Sequence, residues 1–194
     1  TEIYTLSLHD ALPISGRQLR VISTGAWAMP EAVVDTGPLI HLDEIDQLLL
    51  LLAVFPTIHI PEAVVGELTN QKAKAFISQY ADKIKTITVS DQALFSAKDA
   101  HAGFRLQLAD LAVLALIQQI ADAVAVTDDL ELRKAIEQSG RTVTGTVGIL
   151  FRACKLQIIN AGQLRDAVDR LFDDSSLYLS SAFKSRVLAM IESM

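Results

Sequence analysis

The sequence predicts an α/β protein: a sheet of short parallel strands sandwiched between helices. From Glu31 onward, short apolar runs such as AVV, TIHI and AVAV alternate with stretches of helical periodicity. Those runs are apolar on both faces, as strands covered on both sides require. The segments between them are long enough for helical crossovers, the connection that parallel neighbours need.

The elements follow in order. Ala32–Asp35 reads as a first strand, stopped by Thr-Gly-Pro, and His41 to Phe55 as one helix with an apolar stripe. Thr57–Ile60 is a second strand. Pro61 then sits where a helix favours proline, and Glu62–Leu68 continues it. A helix over Gln71–Tyr80 leads to a third strand, Ile84–Val89, after which Ser90 can cap a helix Asp91–Lys98. Gly103 interrupts the chain before a long helix from about Gln107 to Ala121. Ala123–Val126 is a fourth strand, Asp128–Ser139 a helix and Thr142–Thr144 a fifth strand. Helices near Val147–Leu156, Ala161–Phe172 and Ser180–Ser193 complete the chain, the last two forming a hairpin across Asp173-Asp174-Ser175-Ser176.

Composition narrows the class of protein. Of 194 residues, 51% are hydrophobic and 6% aromatic, which suits one aliphatic core rather than disorder. Residues 1–28, which open with TEIYTLSLHDALPIS, show no sustained periodicity and resemble translated adapter sequence. They are expected to be a non-native or disordered extension, with Met29 a natural start. Residues 29–159 are expected to form the main domain and 160–194 a helical hairpin packed on it or extending it. The single cysteine, Cys154, cannot form an internal disulfide, so a reducing cytoplasm is expected. The longest apolar run, Leu48 to Phe55, falls far short of the roughly 20 residues of a membrane span. A net charge of −6 argues against non-specific binding of polyanions, though bound cations reverse the local sign of an acidic cleft.

Carboxylates in apolar surroundings carry the chemistry. Asp35 follows Ala-Val-Val, Glu67 lies in IPEAVVGEL, Asp110 is the only charge in LQLADLAVLAL, and Asp128–Asp129 follow the fourth strand. Burying an unpaired charge is costly, and a cation is the usual remedy. In parallel sheets the functional crevice lies beyond the carboxyl ends of the strands, where Asp35 and Thr127–Asp129 belong. Each acid also has a plainer reading: Asp35 as a turn residue, Glu67 as a solvated helix residue, Asp128 or Asp129 as an N-cap. Asp110 is bordered on its helix face by Leu111 and Leu114, which favours a functional role. Arg105 is the cation placed nearest the cleft, whereas His41 and His101 read as surface or partly packed residues.

Together these motifs, in this order, resemble the PIN-domain nucleases, and within them the VapC-like prokaryotic group. The match runs from about Ala32 to Thr146. VVDTGPLI resembles the opening strand, with Asp35 the first acid and Thr36 its hydroxyl neighbour; IPEAVVGEL places Glu67 second. LADLAVLAL supplies Asp110, and VAVTDDLEL resembles the closing T-x-D with Asp129 as the fourth acid. The stretch RTVTGTVGILFRACKLQII resembles a PIN-related subgroup formerly of unknown function. Three features depart from the pattern. Leu108 stands where some relatives carry a second acid, Leu132 replaces an aromatic, and Asp128 leaves the fourth acid ambiguous.

The resemblance implies a PIN-like three-layer α/β/α sandwich and a metal-dependent endoribonuclease. In that reading Asp35, Glu67, Asp110 and Asp129 are catalytic and, with Asp128, hold one or two Mg²⁺ or Mn²⁺ ions. Thr36, Thr127 and Arg105 orient ligands or substrate. Implied partners are an RNA substrate, an antitoxin protein and a second copy of the chain, with no membrane. The alternative is a non-catalytic PIN-like module that binds nucleic acid or protein. A receiver-type phosphoacceptor fits less well, because Thr144-Gly145-Thr146 offers no Lys after the last strand.

Overall fold

The computed structural model describes residues 30–194. The extension expected over residues 1–28 lies outside them. Five strands form one parallel sheet in the order β3-β2-β1-β4-β5. These are β1 (Ala32–Val34), β2 (Ile58–Pro61), β3 (Ile84–Ile87), β4 (Val124–Val126) and β5 (Thr142–Thr144). The register sets Ala32 opposite both Ile58 and Val124, and Val124 opposite Thr142. With helices on the two faces, this is the three-layer α/β arrangement the alternating pattern predicts. The order reverses direction at β1, so the ends of β1 and β4 open a crevice between crossovers that leave in opposite senses.

The first helix departs from expectation. The sequence pattern stops a strand at Thr-Gly-Pro and runs one helix from His41 to Phe55. Instead α1 (Thr36–Glu44) begins directly after Asp35, and α2 (Leu49–Val54) is separate. Asp35 is the N-cap of α1, its Oδ1 accepting the Thr36 N–H at 2.7 Å. Pro38 falls in the first turn, where the missing N–H has no helical partner to lose. The break between the helices is made by Asp46, held in the left-handed region at φ 57°. Its carboxylate meets Lys72 at 2.6 Å and Arg170 at 3.2 Å, tying the break to two later helices.

Next come α3 (Glu62–Glu67), α4 (Gln71–Gln79) and α5 (Asp91–Ala100), the last capped by Ser90 as expected. Helix α6 (Leu108–Gln119) is buried at every position from Leu111 to Ile117, so it packs as a central helix rather than as an amphipathic one. α7 (Leu130–Gln138) follows β4, and α8 (Thr146–Lys155) follows β5. Leu132, where the family pattern has an aromatic, is fully buried in the core.

The C-terminal helices α9 (Ala161–Asp173) and α10 (Ser181–Glu192) form the expected hairpin. Leu164, Val168 and Leu171 from one, and Phe183, Val187 and Ile191 from the other, belong to the same buried cluster as the sheet. Phe172 and Phe183 lie with ring centroids 6.3 Å apart. The connecting loop is fixed to α1, because the Glu44 carboxylate accepts the Ser176 N–H at 2.8 Å and its hydroxyl at 3.0 Å. Among the described residues no helix is long and apolar enough to cross a membrane.

Candidate active site

A cavity of about 320 Å³ opens at the carboxyl edge of the sheet, lined by Asp35, Glu67, Asp110, Asp128 and Asp129 with Thr36, His41 and Leu177. Each acid arrives on its own element. Asp35 sits between β1 and α1, Glu67 ends α3, Asp110 lies in the first turn of α6, and Asp128–Asp129 join β4 to α7. Asp35 is the most enclosed, 6% exposed. Its Oδ2 accepts from the buried Thr127 hydroxyl at 2.7 Å, and that hydroxyl in turn accepts the Asp129 N–H at 3.1 Å. Thr127 therefore couples the ends of the two neighbouring strands. The Thr36 hydroxyl donates to Glu67 at 3.2 Å, joining the first and second acids.

Electrostatics mark the cavity as strained. Burial, with added repulsion from Asp110 and Asp129, pushes the Asp35 carboxyl up to about 7 despite the hydrogen bonds from Thr127 and Thr36. Burial also raises Asp110, helped by the charges of Asp129 and Glu67. Among the described residues no Lys or Arg pairs with Asp35, Glu67, Asp110 or Asp129. Four acids facing one space with, among the described residues, no Lys or Arg paired to them is an arrangement that a bound cation relieves.

The donor set suits a hard divalent ion. Two of the acids also act as helix caps: Asp129 Oδ1 accepts the Leu132 N–H at 2.8 Å and Asp110 Oδ2 the Gln107 N–H at 2.7 Å. Among the described residues nothing donates a hydrogen bond to the second oxygen of each or to Glu67 Oε1, and all are carboxylate oxygens of the kind Mg²⁺ and Mn²⁺ take. Among the described residues no three His, Cys, Asp or Glu side chains already stand as a ready ligand set. The acids line the cavity rather than crowd one point.

Asp128 plays a different part from its neighbour. Its Oδ1 accepts the Thr146 N–H at 2.8 Å, and its Oδ2 takes the Thr146 hydroxyl at 2.5 Å and His41 Nδ1 at 2.8 Å. Burial alone would raise this carboxyl, but the hydrogen bonds from His41 and Thr146 outweigh it and hold it below the usual range. Both oxygens are engaged, which leaves Asp129, with one oxygen on the Leu132 N–H, the more available oxygen donor of the two. Gly145 is required beside it: a Cβ there would stand 2.6 Å from Asp128 Oδ1 and 3.2 Å from the buried Arg133 guanidinium.

Arg105, expected near the cleft, is exposed and does not line the cavity. Leu177 does line it, although sequence reasoning gave the loop between α9 and α10 no part in the site.

A family model described as "DUF3368: PIN domain" matches residues 31–193. The chain belongs to this PIN-domain family. The matched span includes the C-terminal hairpin as well as the sheet. Among solved structures, that of VapBC2 from Rickettsia felis bound to a DNA fragment from their promoter is similar at 16% identity and a TM-score of 0.43. The similarity covers 59% of this chain and 98% of that one. No curated protein matches the chain. PIN domains form a nuclease superfamily, and the acidic cavity of this chain is lined by Asp35, Glu67, Asp110 and Asp129.

Proposed function

We propose that this PIN domain is a metal-dependent endoribonuclease that hydrolyses RNA phosphodiester bonds and leaves 5′-phosphate ends. The observation that carries the reading is Asp35, a buried carboxyl with no Lys or Arg partner among the described residues, facing three further acids across one cavity. Asp35, Glu67, Asp110 and Asp129 would hold one or two Mg²⁺ or Mn²⁺ ions. A divalent ion bound there supplies Lewis acidity toward water and charge neutralisation at the phosphate.

The chain's own groups do the rest. The Thr127 hydroxyl and the Thr36 N–H fix both oxygens of Asp35, so that the carboxylate presents a set geometry. Thr36 likewise restrains Glu67. Leu177 supplies an apolar wall that limits water on one side. The motif resemblance extends the proposal to the toxin of a toxin–antitoxin pair, with an antitoxin protein and a second copy of the chain as partners.

Incubation of a labelled RNA with Mg²⁺ or Mn²⁺, with Asp35→Asn as control, tests the activity. Cleavage that needs the metal and Asp35, with 5′-phosphate products, is the expected result. Retention of the RNA without cleavage under every metal condition identifies a binding module instead.

A further inference from the structure

His41 occupies a place that the acidic-site reading does not use. It lines the same cavity as the acids, with 12% of its side chain exposed. Its Nδ1 stands 2.8 Å from Asp128 Oδ2. Asp128 serves as an acceptor here, since the Thr146 N–H and hydroxyl both donate to it. Nδ1 therefore carries a proton, and in that tautomer of the imidazole the lone pair is on Nε2. Among the described residues nothing hydrogen-bonds to Nε2. The result is an imidazole locked in one tautomer, with an uncommitted acceptor at the cavity.

We propose that His41 is a catalytic base of the hydrolysis and that Asp128 is its positioning residue. The proposal rests on the hydrolase reading above. A water held by Nε2 gives that nitrogen a proton as its oxygen bonds to phosphorus. The bond from phosphorus to the 3′ oxygen breaks, and the leaving oxygen takes a proton from solvent. The imidazolium keeps its Nδ1 proton on Asp128, whose negative charge stabilises it, and then releases the Nε2 proton to solvent. Thr146 and the close approach of Gly145 hold Asp128 at the required place.

The first measurement needs no metal: ¹⁵N NMR of the imidazole in the metal-free protein. The wild type should show the Nδ1–H tautomer. Asp128→Asn, whose amide can donate to Nδ1, should favour Nε2–H. The second is steady-state cleavage of a labelled RNA with Mn²⁺. His41→Gln should lower kcat about 100-fold or more, within the usual range for a general base, while KM and Mn²⁺ affinity stay near wild type. Asp128→Asn should also lower kcat, and the double variant should lose little beyond His41→Gln. An Nε2–H tautomer in the wild type overturns the proposal, as does a fully active His41→Gln protein or a His41→Gln protein with weakened Mn²⁺ binding. A wild-type protein that cleaves no RNA removes the hydrolase reading and this proposal with it; an active wild type with an equally active His41→Gln removes the proposal alone.

Discussion

Replacing Asp35 by Asn should make the metal-free protein more stable, and by an amount that grows with pH. The carboxyl sits at about 7 in the folded protein against an ordinary value of 3.8. A raised acid pKa means that the folded state binds a proton the unfolded state has released. Its stabilising share is therefore complete below the unfolded value, declines as pH rises between the two, and is gone above about 7. A gap of about three, at about 1.4 kcal/mol each, is about 4 kcal/mol in all. Asn resembles the protonated carboxyl and does not titrate. The advantage of Asp35→Asn over wild type should then grow by about 3 kcal/mol between pH 5 and pH 8. Asp110 and Asp129 add repulsion to the Asp35 carboxylate, and Asp35→Asn removes that repulsion together with the charge, so it forms part of the same pH-dependent difference. Urea unfolding of both proteins with chelator present, from pH 5 to pH 8, measures it. A stability difference that does not change with pH refutes the reasoning.

Other perturbations separate structure from chemistry. Asp129→Ser should keep the cap on the Leu132 N–H and cost little stability, while Asp129→Ala should lose about 1 kcal/mol in thermal unfolding; both should lose activity if Asp129 serves the site. Gly145→Ala forces a methyl to within 2.6 Å of Asp128 Oδ1 and should destabilise by about 1–3 kcal/mol, read as a lower melting temperature. A chain ending near Gln157 removes Leu164, Val168, Leu171, Phe183 and Val187 from the core and should fail to fold by circular dichroism. A folded, monomeric and active truncation would instead assign those faces to an interface, as would light scattering of a dimeric full-length chain beside it. Mn²⁺ at about 100 times its Kd should stabilise the wild type by about 2.7 kcal/mol, several degrees in melting temperature, and Asp35→Asn by much less.

The parallel sheet was legible because both-face apolar runs such as AVV and AVAV, joined by helical segments, admit few other placements, whereas the strand order has no such local signal. That Asp35, Glu67, Asp110 and Asp129 share a cavity was legible for a related reason, since each is a charge in an apolar run near a strand end or helix start. The division of labour between Asp128 and Asp129 was not. It depends on Thr146, which reaches Asp128 from beyond β5, and no local pattern announces that contact. His41 reads from sequence as a surface or partly packed residue, because a hard oxygen-ligand site does not want an imidazole. Once Asp35 caps α1, the helix starts earlier and His41 falls in its second turn, facing the cavity. Leu177 depends on Glu44 anchoring a distant loop, an interaction that periodicity does not register. Arg105 shows the converse error, because nearness to Asp110 in sequence says little once a helix start intervenes.

Direct titration of Mn²⁺ into the metal-free protein, followed by electron paramagnetic resonance of the free ion, tests the acidic cavity most plainly. The account predicts saturable binding by the wild type that weakens sharply in Asp35→Asn and in Asp129→Ser but persists in His41→Gln. Binding of equal strength in the wild type and Asp35→Asn, or no saturable binding in the wild type, would contradict it.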